Sequence, residues 1–213
     1  MKPPKISPQA ALAGLWLRAA SIAALAIYLL LRRDPNPVTL IDVVASTALS
    51  ALWTLLMGEY LRGGQVLLSD PRREWLTRLY PWLIAYEGAI WLLYSFDVLL
   101  GGLPEADPIA LIVLALVWGA SILVSFLMFT QSVRLMSHPE DTTGRVQFAE
   151  LLNWAAALTA ASTVMNVVKL GGTPGPTVGD QWAFGLQGVV EVAALLLLRW
   201  ALRGGEAAVG SGE

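Results

Sequence analysis

Six apolar runs follow one another along this chain, and each is long enough to cross a bilayer as a helix. A membrane-spanning helix needs about 20 apolar residues. The runs cover residues 10–31, 38–62, 81–100, 108–134, 147–169 and 181–202. Because all backbone polar groups in lipid must be hydrogen-bonded, only helices and closed barrels cross membranes. The runs lack the alternation of barrel strands, so we predict an all-α, polytopic bundle of six transmembrane helices.

The composition agrees with a protein that lies mostly in lipid. The chain is 56% hydrophobic and only 14% charged, whereas soluble domains carry about 25% charged residues. The six runs leave no room for a separate soluble domain, so residues 1–203 are predicted to form one transmembrane domain. The remaining segment, 204–213, reads GGEAAVGSGE and is predicted to be a disordered tail.

Basic residues are distributed unevenly between the two sides of the predicted bundle. With six spans, ten lysines and arginines lie on the side of the termini and three, Arg32, Arg33 and Lys169, lie on the other side. Basic loops are retained in the cytoplasm, so both termini are predicted to be cytoplasmic, in a plasma (inner) membrane. The first run is too long for a signal peptide and contains Arg18, so we interpret it as a retained span.

The absence of cysteine and the presence of one histidine, His138, exclude several classes of chemistry. Disulfides, iron–sulfur clusters and thiolate catalysis require cysteine, and haem held by two histidines of one chain is impossible. We therefore predict no cofactor and no metal site. A lipid-modifying enzyme would need a histidine, a metal or clustered aspartates near the headgroups, so an enzymatic activity is less favoured and no catalytic residue is assigned.

Three charged side chains lie at a similar depth inside three of the predicted spans: Arg18 in the first, Glu87 in the third and Glu191 in the sixth. At a rise of 1.5 Å per residue, each lies about 9–12 Å from the end predicted to be cytoplasmic. A charge at the bilayer centre costs roughly 2.5–3.5 kcal/mol. We therefore predict that Arg18 pairs with a carboxylate, either Glu87 or Glu191. Gln187 shares the helical face of Glu191 and joins the predicted cluster.

The buried cluster has two competing interpretations. A carboxylate left over after pairing could bind and release a proton, as a proton-linked transporter or a cation pathway requires. The same residues could instead form a static clamp that fixes which helices pack together, and Arg18 could also extend to the headgroups. In the transport interpretation, polar residues near the span ends would mark the mouths of the pathway: Asp42, Glu59, Glu150 and Asn153.

The segment SDPRREWLTRLYP, 69–81, is predicted to lie at the cytoplasmic membrane surface. Asp70 and Pro71 are suited to the start of a helix, and Arg72, Arg73 and Arg78 would contact lipid headgroups while the aromatic and leucine side chains face lipid. Alternatively, the segment extends the third span. Its basic residues lie beside a membrane, so no nucleic-acid partner is predicted.

A possible weak inverted repeat relates the two halves of the chain. Sliding the second run onto the fifth by 108 positions aligns Met57 with Met165 and Gly63 with Gly171. Halves of three helices related in this way are common in transporters and channels. Two apolar helices that end in glycine could match equally well by chance.

Two function hypotheses remain from the sequence. The first is a small integral membrane channel or proton-linked transporter built around the Arg/Glu cluster. The alternative is a non-catalytic accessory or structural subunit of a larger membrane complex, because six spans with short loops suit a protein whose sides meet other helices. The expected partners are the bilayer, anionic inner-leaflet lipid, and further copies of the chain or other membrane subunits.

Overall fold

The computed structural model of the 213-residue chain describes residues 6–32, 37–62, 108–168 and 178–204, together with 78–79, 81–82, 84–86, 88–89 and 92. All regular secondary structure in these ranges is helical, which confirms the predicted all-α class. Five helices are traced from end to end: α1 (Pro8–Arg32), α2 (Pro37–Leu61), α4 (Pro108–Ser137), α5 (Thr142–Val168) and α6 (Val178–Gly204). The helical residues described between 78 and 92 are α3. The predicted tail lies outside the described residues, apart from Gly204.

Helix starts follow simple backbone chemistry. α1, α2 and α4 each begin at a proline, which fits the first turn because its missing N–H would have no intrahelical partner there. α5 begins at Thr142, five residues before the predicted run, because Asp141 caps it: Asp141 Oδ1 accepts the Gly144 N–H at 2.8 Å. The polar first turn of α5 therefore belongs to the helix although it is not apolar.

Three helices are long and apolar enough to span a membrane, within Pro8–Leu31, Ala115–Ser137 and Gln181–Arg203. They belong to α1, α4 and α6. Their outward faces carry exposed large apolar side chains, among them Leu31, Leu116 and Leu186. A surface with so many exposed apolar side chains is unusual for a soluble monomer and is typical of a lipid contact. These helices indicate a membrane-embedded protein.

The helix pairs α1–α2, α1–α6 and α5–α6 run antiparallel. Between α1 and α2, Thr54 Oγ1 donates to the Leu15 carbonyl at 3.3 Å and Arg18 Nη1 donates to Ser50 Oγ at 3.0 Å, so residue numbers rise along α1 while they fall along α2. The same reversal relates α1 to α6 and α5 to α6. The contacts that show it are Gly14 with Leu197, Arg18 with Glu191, Glu150 with Arg203, and Gly188 with Thr163.

The five fully traced helices form a ring. α1 packs between α2 and α6, α6 packs on α5, α5 packs on α4, and a weaker contact between α4 and α2 closes the ring. The starts of α1 and α5 and the ends of α2, α4 and α6 therefore lie together, at what we name the proximal end. The opposite end is the distal end.

The best-packed part of the core lies in the proximal half of the ring. Its fully buried side chains come from all five helices: Leu15, Met57, Leu135, Phe148, Leu152, Leu195 and Leu198. On the α5–α6 side, Gly188 permits a close approach, because a Cβ added there would overlap Thr163 Oγ1 and stand 2.7 Å from Thr163 Cβ. The buried charges lie at the distal border of this core.

Candidate functional site

Arg18 of α1 pairs with Glu191 of α6. Arg18 Nη2 donates to Glu191 Oε1 at 2.7 Å, and Arg18 Nε donates to the same oxygen at 3.1 Å. The two side chains are 15% and 17% exposed. Of the two carboxylates that the sequence left open as partners for Arg18, the structure brings Glu191 to it. Charge-assisted bonds of this length are the strong ones.

Three further side chains surround this ion pair. Gln187, one helical turn before Glu191, donates its Nε2–H to Glu191 Oε2 at 2.6 Å. Ser50 of α2 accepts from Arg18 Nη1 at 3.0 Å. The Trp53 ring lies with its centroid 5.2 Å from Arg18 Cζ, within the range of a cation–π interaction. These five residues, Arg18, Ser50, Trp53, Gln187 and Glu191, are the Arg18 cluster.

The Arg18 cluster connects to a fourth helix through Trp53. Trp53 Nε1 donates to Ser132 Oγ on α4 at 3.1 Å, and Ser132 Oγ donates in turn to the Met128 carbonyl at 2.6 Å. Both Trp53 and Ser132 are buried. Because a buried polar group without a partner costs free energy, this chain of bonds helps to fix the relative position of α2 and α4, the helix pair with the weakest contact in the ring.

A cavity of about 140 Å³ opens beside the cluster, between α1, α2, α3 and α4. We name it the Arg18 cavity. Arg18 lies about 15 Å along α1 from Pro8, at 1.5 Å per residue, so the cavity is near the middle of the ring's height. Its walls combine one guanidinium, three hydroxyls and one indole with apolar side chains: Arg18, Ser46, Ser50, Ser125, Trp53, Ile22, Leu49, Ile84 and Met128.

The charge of the pair is balanced within the cluster. Glu191 Oε1 accepts two bonds from Arg18 and Glu191 Oε2 accepts one from Gln187. Both oxygens therefore have partners, and Glu191 does not line the Arg18 cavity. The cavity wall consequently presents the cationic member of the pair, while the anionic member lies behind it.

The residues predicted as pathway mouths lie toward the two ends of the ring. Glu150 binds Arg203 and also accepts a bond from Asn153 Nδ2 at 3.2 Å, at the proximal end. Glu59 is half-buried near the end of α2, also proximal. Asp42 belongs to α2 near the distal end, and its side chain lies outside the described residues. Glu59, Glu150 and Asn153 do not line the Arg18 cavity.

The other predicted site residues are described only in part. Glu87, Arg72 and Arg73 lie outside the described residues. Arg78 is helical and exposed, as is Trp82 one turn further along α3. The predicted contacts of Glu87 with the cluster and of Arg72 and Arg73 with lipid therefore stay predictions.

Sequence reasoning missed the serines and the tryptophan that line the cavity. Ser50, Ser125 and Trp53 are absent from the site residues predicted above. A signal was present: Ser46, Ser50 and Trp53 stand four and three positions apart and share one face of α2. This polar face lies at about the depth of Arg18, so matching depth between spans would have grouped these residues.

Comparisons with known proteins assign no family. No protein-family model, curated protein or solved structure matches this chain. Within the part of the chain that the structure describes, no group of three or more histidine, aspartate or glutamate side chains could hold a metal ion. A functional proposal must therefore rest on the Arg18 cluster and its cavity.

Proposed function

We propose that this chain is a small integral membrane transport protein, a channel or a proton-linked transporter, that moves a small polar solute through the Arg18 cavity. The observation that carries the proposal is the cavity itself, with a guanidinium and three hydroxyls on its wall near the middle of an apolar bundle. Ionisable and polar groups at this depth are costly and are typical of solute pathways. Transporter sites also tend to lie near the bilayer midplane.

The proposed topology has six spans with both termini in the cytoplasm of a plasma (inner) membrane. Two observations support it. α2 ends at the proximal end and α4 starts at the distal end, so the segment from 62 to 107 must join opposite ends, as one further span would. Pro8 of α1 and Gly204 of α6 both lie at the proximal end, which agrees with the excess of basic residues on the side of the termini. The possible inverted repeat remains part of this proposal.

The segment at 69–81 is proposed to bind anionic inner-leaflet lipid through Arg72, Arg73 and Arg78. Arg78, Leu79 and Trp82 are all exposed, which supports a surface with a basic part and an apolar part. Such surfaces bind at the headgroup boundary.

Glu87 is the proposed proton carrier of a coupled mechanism. Both oxygens of Glu191 already have partners, so Glu191 is not a spare carboxylate. In the sequence, Glu87 comes three positions after Ile84, a residue of the cavity wall. Residues at this spacing share a helical face, which supports the placement of Glu87 toward the same opening.

Flux through reconstituted liposomes tests the proposal. Ser125→Phe should fill the cavity and abolish solute flux, whereas the control Ser121→Phe, one turn away on α4 and outside the cavity wall, should retain it. Glu87→Gln should abolish the coupled proton movement reported by a trapped pH dye, and Glu140→Gln in the exposed turn should not. Unchanged flux in both Ser125→Phe and Glu87→Gln would remove the transport proposal.

The second candidate is a non-catalytic subunit of a larger membrane complex. The complete pairing of Glu191, which ties α1 to α6, favours it, because a fully bonded ion pair suits a static clamp. Native mass spectrometry of the particle extracted in a gentle detergent separates the candidates. A mass near a small multiple of 22.9 kDa supports a self-sufficient transporter, and unlike subunits would support the accessory role.

A further inference from the structure

The guanidinium of Arg18, on the cavity wall, has more donors than the described residues accept. A guanidinium carries five N–H donors. Three of them are used in the structure, by Nε and Nη2 on Glu191 Oε1 and by Nη1 on Ser50 Oγ. One N–H on Nη1 and one on Nη2 therefore have no partner among the residues that the structure describes. Arg18 itself lines the cavity.

Ser50 adds a third donor to the same wall. Its side chain is buried, with the residue 5% exposed, and its Oγ accepts the bond from Arg18 Nη1. The hydroxyl hydrogen is then available to donate, and no acceptor for it is found within the described ranges. The Trp53 N–H is not available in this way, because it already binds Ser132.

Among the described residues of the cavity wall, free acceptors are scarce by comparison, and Glu87, proposed above to face the same opening, is neutral when it carries its proton. The oxygens of Glu191 are occupied and Glu191 is absent from the wall. The remaining lining among the described residues consists of the Ser46 and Ser125 hydroxyls and apolar side chains such as Leu49 and Met128. A cation at this position would meet the Arg18 charge with no free carboxylate among the described residues. An anion would instead satisfy the unused donors.

We propose, building on the proposed transport function, that the solute is a small monovalent anion, held in the Arg18 cavity by Arg18 and Ser50. Glu191, which binds the guanidinium but does not line the cavity, partly balances its charge. This keeps the bound anion exchangeable, because a site that conducts must also release its ion. The ion pair thus serves to hold Arg18 in place with its remaining donors directed to the solute.

The size of the cavity limits the anion. A cavity of about 150 Å³ in another protein accommodates benzene, and the Arg18 cavity has about 140 Å³. Halides, nitrate and formate fit this space. Nucleotides and sugar phosphates do not.

Fluorescence quenching of the full-length protein in lipid nanodiscs tests the inference, with iodide as the probe. Iodide is a monovalent anion that quenches indoles on contact, and Trp53 lies on the cavity wall. We expect a saturable component of quenching that chloride displaces and that Trp53→Phe removes. Ser50→Ala should weaken iodide binding about tenfold, the effect of one lost hydrogen bond to a charged group. The matched control Ser121→Ala should bind as the wild type does.

A second variant keeps the test informative where loss of Arg18 would disturb folding. Arg18→Lys retains the positive charge beside Glu191 but offers fewer donors in a different geometry. It should remain folded by circular dichroism and lose most of the saturable quenching. Quenching that is linear in iodide for the wild type, or equal affinity in the wild type and Ser50→Ala, would overturn the inference.

The flux assay separates this inference from the proposed function. Flux of neutral glycerol without saturable iodide binding would leave transport standing and overturn the anion. Saturable iodide binding without any flux would support the anion site and overturn transport. If neither solute flux nor saturable iodide binding is observed, the transport proposal and the anion proposal are both overturned. Iodide flux together with saturable iodide binding would support both proposals.

Discussion

Two trios of the same chemistry lie in different parts of the ring. In each, a glutamate pairs through Oε1 with an arginine of another helix and accepts through Oε2 from an amide on its own helix. Near the middle, the inner trio is Arg18, Glu191 and Gln187. At the proximal end, the outer trio is Arg203, Glu150 and Asn153. The charged side chains are 15% and 17% exposed in the inner trio but 34% and 52% exposed in the outer trio.

The difference in exposure determines how much each trio contributes to the stability of the bundle. Exposed ion pairs are screened and contribute little, since water replaces a lost partner. A buried pair lacks that replacement, so the removal of one partner leaves the other charge desolvated and unpaired. The stability of the bundle should therefore change little when the outer trio is altered and should depend on all members of the inner trio together. The inner trio also positions Arg18 at its cavity.

The largest expected effect comes from the removal of one charge of each trio. Arg18→Gln should lower the free energy of unfolding by about 3–5 kcal/mol, because Glu191 remains buried without its partner. Arg203→Gln, the matched change in the outer trio, should cost about 0.2–1 kcal/mol. Unfolding in detergent micelles, followed by circular dichroism, measures both.

The double variant Arg18→Gln/Glu191→Gln is the control for this interpretation. It removes both charges together and should recover much of the loss seen in Arg18→Gln alone, since no unpaired charge remains. Equal losses in the inner and outer single variants would show that burial does not distinguish the two trios.

Replacement of the side-chain amides of Gln187 and Asn153 tests the same comparison, with a smaller expected loss of stability. Gln187→Leu removes the amide bond to Glu191 Oε2 and should cost about 1.5–3 kcal/mol, the range for a hydrogen bond to a charged group. Asn153→Leu removes the corresponding bond to Glu150, where water can take its place, and should cost under about 0.5 kcal/mol. Thermal denaturation of the two variants side by side checks the ratio, and a larger loss for Asn153→Leu would contradict it.

The position of the inner trio also depends on Gly188, which lies next to Gln187 in α6. Gly188→Ala would place a Cβ 2.7 Å from Thr163 Cβ, and overpacking of this kind costs about 1–3 kcal/mol. Gly185→Ala on the same helix meets only an ordinary contact, 3.6 Å from Val167 Cγ2, and should be neutral or slightly stabilising. Unfolding free energies measure both.

Thr163→Ala provides the rescue for this prediction. It removes the two outer atoms that the new methyl group would meet, Thr163 Oγ1 and Cγ2, and leaves Cβ in place. Partial recovery of stability in Gly188→Ala/Thr163→Ala is therefore expected. If stability does not recover at all, the close contact between α5 and α6 is not the cause of the stability lost in Gly188→Ala.

The sequence predicted the helical class, and it predicted Arg18, Gln187 and Glu191 as site residues. The charged members could be found because the cost of a charge in lipid depends on the residue and on its depth along a span, and both can be estimated from the sequence. It did not distinguish Glu191 from Glu87 as a partner for Arg18, since depth along a helix says nothing about the rotation of one helix against another. The cavity was also missed. Ser50 and Trp53 belong to the site because the packing of α2 against α1 places them beside Arg18. The hydrophobic pattern of a single helix does not predict that packing.

A third ion pair, Arg134 with Asp141, extends the comparison to the exposed α4–α5 turn. Asp141 Oδ1 accepts the Gly144 N–H at 2.8 Å and Asp141 Oδ2 pairs with Arg134 Nη2 at 2.8 Å. The hydrogen bond from Gly144, and after it the charge of Arg134, hold the pKa of the Asp141 carboxyl below its ordinary value. The folded chain therefore favours the ionised carboxyl more than the unfolded chain does.

This depressed pKa gives the smallest predicted effect, and its direction with pH is fixed by linkage. The stabilisation by Asp141 should be complete above the pKa of the unfolded chain, about 3.9, and should be lost as the pH falls through the lower pKa of the folded state. Asp141→Asn keeps a good N-cap but cannot ionise, so the difference in Tm between wild type and Asp141→Asn should be greatest at neutral pH and should shrink in acid. Glu140→Gln, in the same turn, is the control for general charge effects. A difference that grows in acid would contradict the assignment, because it would mean that the fold prefers the protonated carboxyl.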